Sequence, residues 1–200
     1  MIKEIIFISI IGAFVGPLSE LWYLTDYWRP QLFNNRMIGI EDFLFGFFIS
    51  GIATSIYEEV FGKRFIKRSR REHRWYLGVF PFLILGIIFT SILVFGIGIN
   101  SLYSTVAILI IFSLVIIYKR RDLLFDSLLS GILLGVIMIL IYLILLTVFP
   151  ELINSFWYLD SLSNIFILRI PIDELIWAFA VGMFVGPLYE FLVGLRLKNN

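Results

Sequence analysis

Two hundred residues, 60% hydrophobic and 18% aromatic with a mean hydropathy of +0.97, are not the composition of a water-soluble globule. A net charge of +1 gives no electrostatic case for nucleic acid as a partner, and a chain with no cysteine has no disulfide, thiol nucleophile or cysteine metal site. Its one histidine, His73, lies in a basic run, so a histidine-built metal centre is excluded. The expectation is an all-α integral membrane protein, one membrane domain over residues 1–200.

The first predicted span runs from about Ile5 to Tyr23 and contains Gly12, Gly16 and Pro17, where a kink is expected. It lacks a small-residue cleavage site and is followed by acids, so it reads as a retained helix rather than a signal peptide. An aromatic and polar arm follows, Trp22 to Met37, and then the second span, Ile40 to Phe61. The basic run Lys63 to Arg74 leads into the third span, about Trp75 to Phe95. The fourth span is about Ser101 to Tyr118, stopped by Lys119, Arg120 and Arg121, and the fifth is about Leu128 to Val148. A second aromatic arm, Pro150 to Arg169, precedes the sixth span, Pro171 to Gly194. Apolar runs of roughly 18–25 residues are long enough to cross a bilayer.

Basic residues set the expected orientation. Lys3, the Lys63–Arg74 run, Lys119 to Arg121, Arg196 and Lys198 fall on one side if six spans alternate, and they hold thirteen of the sixteen lysines and arginines. Cytoplasmic loops carry that excess, so both termini and the basic loops are expected inside, in a prokaryotic cytoplasmic membrane. Arg29, Arg36 and Arg169 share the other side with Glu20, Asp26, Glu41, Asp42, Glu151, Asp160, Asp173 and Glu174.

The sixth span, PIDELIWAFAVGMFVGPLYEFLVG, has a near copy 132 positions earlier, GIEDFLFGFFISGIATSIYEEVFG. Ungapped, it pairs Glu41 with Asp173, Asp42 with Glu174, Tyr57 with Tyr189, Glu58 with Glu190 and Gly62 with Gly194. Because both copies run the same way, the expectation is a parallel duplication in which spans 1–2 correspond to spans 5–6. Repeat one is residues 5–62, the linker helix 75–95 and repeat two 101–194; the fourth span has no clear counterpart. The two WYL triplets, at Trp22 and Trp157, are read as matching arms, and Trp22, Trp28, Trp157 and Tyr158 as interfacial belt residues. GAFVGPLSE in the first span looks like GMFVGPLYE in the sixth, but those spans run oppositely and the match is read as coincidence. Gly46, Ser50 and Thr54, aligned with Ala178, Gly182 and Gly186, form small-residue ridges expected to pack spans 2 and 6 together.

The paired acids have two readings at this level. Carboxylates in a first helical turn cap free amides and favour the positive end of the helix dipole. Alternatively, acids at the edge of hydrocarbon are costly unless partnered or functional, and both copies keep two where capping needs one. Glu58 and Glu190, roughly 24 Å further along their helices, are expected to make ion pairs near Lys63, Arg64 and Arg196.

Taken together, PIDE with Tyr189-Glu190 and GIED with Tyr57-Glu58 resemble the membrane lycopene cyclase family of the duplicated type. That family opens one helix per repeat with Pro-x-Glu-(Glu/Asp) and carries Tyr-Glu near the helix end. Gly39 stands for the first proline and Asp173 for a glutamate, and the first repeat is expected to lack its first helix. The resemblance implies an enzyme of lycopene β-cyclase type, an isomerase of carotenoid biosynthesis that closes a polyene isoprenoid end without cofactor or metal. Glu174 would be the acid, Asp42 its pseudo-symmetric partner, and Glu41 and Asp173 orienting or accepting groups. Trp177, Phe45, Phe48 and Trp157 would wall the substrate and attract the carbocation. The alternative is a small carrier or a lipid- or isoprenoid-binding protein that uses the same acids for protons or cations. Prenyl transfer lacks its DxxxD spacing, an intramembrane CAAX-type protease its histidines, and a retinal protein its lysine in the last span.

Overall fold

The computed structural model describes residues 2–29, 39–63, 65–67 (backbone) and 78–197 (side chains to 195). The arm beyond Arg29, most of the Lys63–Arg74 run including Arg64 and His73, Trp75 to Leu77, the Arg196 side chain and Lys198 lie outside the described residues. Among the described residues, six helices are long and apolar enough to span a bilayer, which is consistent with an integral membrane protein. They are α1 (Ile2–Asp26), α2 (Ile40–Phe61), α3 (Val79–Ser91, extended by a wide π-type turn Ile92–Ile97), α4 (Ser101–Lys119), α5 (Leu124–Val148) and α7 (Ile172–Val185) continued by α8 (Leu188–Val193). Large apolar side chains such as Phe14, Phe95, Ile111 and Ile144 point outward, as a lipid-facing belt requires.

Several boundaries differ from expectation. Pro17 sits inside an unbroken α1, whereas the sixth span breaks at Gly186–Pro187. The fifth helix starts earlier, at Leu124, and so takes in a buried acid, Asp126. The second arm is structured: a short helix α6 (Leu152–Phe156), a 3₁₀ turn (Leu159–Ser161) and a two-residue hairpin, β2 (Phe166–Ile167) against β3 (Ile170–Pro171). Trp22 and Trp157 are buried, and the Trp22 indole donates to the Ser91 hydroxyl at 3.1 Å.

Packing is closest between α1 and α2 and between α5 and α7; α4 lies on α7, and α2 touches both α5 and α7. The small-residue ridges serve these pairs, not the expected contact between spans 2 and 6. A Cβ added at Gly46 would stand 2.2 Å from the Gly12 carbonyl oxygen, and one at Gly182 would stand 2.5 Å from that of Ser130. Backbones approach that closely only where side chains are missing. Thr54 of the ridge reaches across, donating to the Val185 carbonyl at 3.4 Å. The two GxxxGP segments therefore do one job: Gly12 and Gly16 press on α2, and Gly182 and Gly186 press on α5.

Short backbone ladders tie the halves together at both ends of the bundle. Beyond α2 and α8, β1 (Phe65–Lys67) pairs antiparallel with β4 (Leu195–Leu197), with Phe65 opposite Leu197. Both helices leave through left-handed glycines, Gly62 (φ 59°) and Gly194 (φ 73°), whose amides bond the carbonyls of Glu58 and Glu190. At the opposite end Trp28 bridges Trp157: Arg29 N–H donates to the Phe156 carbonyl at 2.7 Å and Tyr158 N–H to that of Tyr27 at 3.0 Å. Trp28 is thus the residue facing Trp157.

Candidate functional site

Buried acids divide between the two ends of the bundle. Glu20, Asp42, Asp173 and Glu174 lie where α1 ends and α2 and α7 begin; Glu4, Asp126 and Glu190 lie at the other end. No lysine or arginine among the described residues is buried to the same degree. Where no cation reaches it, a buried carboxylate is served by neutral donors, by shared protons or by ligands.

Glu174 has the fullest donor set. Its Oε1 accepts the Tyr27 hydroxyl and, at 2.6 Å, the Trp157 indole N–H; its Oε2 accepts the Tyr142 hydroxyl at 2.6 Å. These come from the ends of α1, α6 and α5, so the first turn of α7 completes a site that four segments build. Burial, and then the Glu174 charge, push the Tyr27 phenol well above the usual tyrosine range, so it keeps its proton and remains a donor. Around it the rings form a wall. Tyr23 meets Tyr27 edge-on at 5.0 Å, Trp28 lies 6.0 Å from Trp157, and Tyr142 lies 6.1 Å from Trp157.

Asp173 faces elsewhere. Its Oδ1 accepts the Tyr103 hydroxyl at 2.6 Å and its Oδ2 the Ser163 hydroxyl at 2.6 Å. Asp42 accepts the Gly39 amide at 2.7 Å, so it caps α2 as the simpler reading expects. It is also buried within electrostatic range of Glu20, whose Oε2 accepts the Trp28 indole at 3.0 Å. Glu41 lies half-buried with its carboxylate over Gly39. Trp177 donates to the Tyr23 hydroxyl at 2.9 Å and stacks on Phe45 at 5.9 Å, which joins both to the aromatic wall. Phe48 is 59% exposed and lines a separate crevice between α1 and α2 with Ile5, Ser9 and Ser55.

The structure therefore brings together Glu174, Trp157, Trp177 and Phe45, sets Asp42 beside Glu20, and leaves Phe48 apart. Tyr27, Tyr142, Tyr103, Ser163 and Glu20 were not singled out from the sequence. Tyr142 did carry a signal, as the one hydroxyl within the aliphatic run ILIYLILL. The fourth span supplies Tyr103 and is held by Asp26, which accepts from Ser101 N–H (3.1 Å) and Oγ (2.6 Å).

Residues 100–192 match the family model described as lycopene cyclase. Comparison with the curated proteins and with the solved structures gives no match. The matched stretch contains Tyr103, Tyr142, Trp157, Asp173, Glu174 and Glu190.

Proposed function

We propose that this chain, whose residues 100–192 match the family model described as lycopene cyclase, cyclises the end group of a polyene isoprenoid by acid–base chemistry within the membrane. The observation that carries this reading is Glu174, a buried carboxyl group with Tyr27, Tyr142 and Trp157 directed at it and aromatic faces on either side. Cyclisation adds a proton to the terminal carbon–carbon double bond. An internal double bond then attacks the resulting cation, closing the ring carbon–carbon bond, and a ring proton leaves. The product is an isomer, with no change in electron count.

Donors on both oxygens favour Glu174 as the carboxylate that faces the ring cation and receives the departing proton. Two neighbouring buried acids share protons more readily than they ionise together, so Glu20 with Asp42 is the proposed proton source. Trp28 and Trp157 lie between the two acid sites, where their faces stabilise the cation. Asp173, held by Tyr103 and Ser163, positions the first turn of α7, and Glu41 orients the start of α2. Phe48 is proposed to contact lipid or the distal part of a long substrate.

The parallel duplication belongs to the same proposal. It is supported by the ladder in which Phe65 is opposite Leu197, residues 132 apart and hence equivalent in the repeat. It is supported too by the matching left-handed caps at Gly62 and Gly194. The basic loops are proposed to lie on the cytoplasmic side.

Expression in a lycopene-accumulating host followed by pigment extraction tests the function. Cyclised pigment is expected from the wild type and not from Glu174→Gln at equal, folded protein levels. Unchanged lycopene from folded wild-type protein removes lycopene as substrate, and proton- or cation-coupled uptake in proteoliposomes would put a carrier in the enzyme's place.

A further inference from the structure

At the end of the bundle opposite Glu174, carboxylate oxygens of Glu4, Glu58 and Glu190 all lie within 4.8 Å of one another. They come from the first turn of α1, the last turn of α2 and α8, so three elements converge. Glu190 is 1% exposed, and among the described residues no N–H or hydroxyl group donates to either of its carboxylate oxygens, which face the Glu4 carboxyl instead. The Arg120 guanidinium reaches the same element but is otherwise engaged. It bonds the carbonyls of Glu190 (3.4 Å) and Leu195 (2.5 Å) and pairs with Asp122 at 2.7 Å. A fourth buried acid, Asp126 on α5, lies within electrostatic range of Glu4, Glu58 and Glu190. The C-terminal end of the α2 dipole adds negative potential at the same place.

We propose that Glu4, Glu58 and Glu190, with Asp126 beside them, form a binding site for a hard divalent cation of the Ca²⁺, Mn²⁺ or Mg²⁺ class. Oxygen ligands stand about 2.3–2.6 Å from Ca²⁺ and about 2.0–2.1 Å from Mg²⁺, so opposed ligands are roughly 4–5 Å apart, which matches the cluster. An all-carboxylate set, without histidine or thiolate, suits these ions rather than softer ones. The two left-handed glycine caps fix Glu58 and Glu190 at the ends of their helices, immediately before the β1–β4 ladder. A bound ion would therefore clasp α1, α2 and α8 together. The site is separate from Glu174: about 23 residues of α1, roughly 34 Å of helix, divide the two. The proposal does not rest on the cyclase reading.

The test uses the full chain purified in detergent, stripped with EDTA and desalted. Titration with Mn²⁺ followed by electron paramagnetic resonance should show one bound ion per chain, displaced by Ca²⁺ or Mg²⁺. Glu190→Gln should weaken binding by roughly 10–100-fold. Mn²⁺ should also raise the melting temperature of the wild type and not of Glu190→Gln, because only a binding-competent native state gains from the ion. Absence of stoichiometric Mn²⁺ on the wild type overturns the proposal even if the variant fails to fold. So does wild-type affinity for Mn²⁺ in both Glu190→Gln and Glu58→Gln. If Glu190→Gln melts at or above the wild type and Mn²⁺ moves neither, protons alone neutralise the cluster and the cation site is refuted.

Discussion

Trp157 donates its indole N–H to Oε1 of Glu174 at 2.6 Å, and so fastens the arm after the fifth helix onto the first turn of α7. Two residues read from the sequence in separate roles, a wall and an acid, are one hydrogen-bonded unit. Removing the donor while keeping an aromatic side chain separates the roles. Trp157→Phe and Tyr142→Phe should each lower conversion roughly tenfold, the equivalent of about 1.4 kcal/mol, with the protein still folded. Pigment ratios at matched expression give the readout; unchanged ratios in both variants would detach the donor cage from the chemistry.

The close approach of α1 and α2 makes a sharp stability prediction. Gly46→Ala puts a Cβ 2.2 Å from a backbone oxygen, which cannot rotate away, and should cost about 1–3 kcal/mol or more in a detergent melt. Gly135→Ala on α5 meets nothing within 4 Å and should be neutral or stabilising by up to about 1 kcal/mol. Equal melting temperatures for the two would contradict the packing.

The β2–β3 hairpin turns through Leu168 (φ 53°) and Arg169 (φ 70°), both left-handed and neither glycine. A two-residue turn of that hand favours asparagine and glycine. Leu168→Asn, at a site 61% exposed, should therefore stabilise by about 0.5–1 kcal/mol, read as a higher melting temperature. A lower one would show that the leucine is held by contacts beyond the turn.

Asp26 ties the end of α1 to the start of α4 through the Ser101 amide and hydroxyl. Asp26→Ala should cost about 1–2 kcal/mol and speed amide exchange at the start of α4, while Asp26→Asn recovers part of the loss. Exchange at Ser101 to Ser104 indistinguishable from wild type would sink the cap.

The absence of cysteine makes topology directly measurable. With the basic loops cytoplasmic, Asp160→Cys should react with an impermeant maleimide on intact cells and Asp122→Cys only after lysis. The reverse pattern inverts the proposed orientation.

Hydropathy made the six spans legible, because a bilayer-crossing helix needs only length and apolar composition, and α2 ends where the sequence placed it. The repeat likewise marked Glu174, Asp42, Glu58 and Glu190, since aligned acids in apolar helices stand out at single-residue resolution. What those acids touch was not legible. Tyr27 lies 147 residues from Glu174 and Tyr142 lies 32 away, and no local pattern encodes such pairings. Ridge partners were misread for a related reason: small residues say that a backbone comes close, and only the packed bundle decides whose. Nor could spacing reveal that Glu4, at the start of α1, meets Glu58 and Glu190. Sequence determined which residues cannot be left alone in a membrane; tertiary structure decided their company, because burial and hydrogen bonding depend on neighbours that the chain order does not supply.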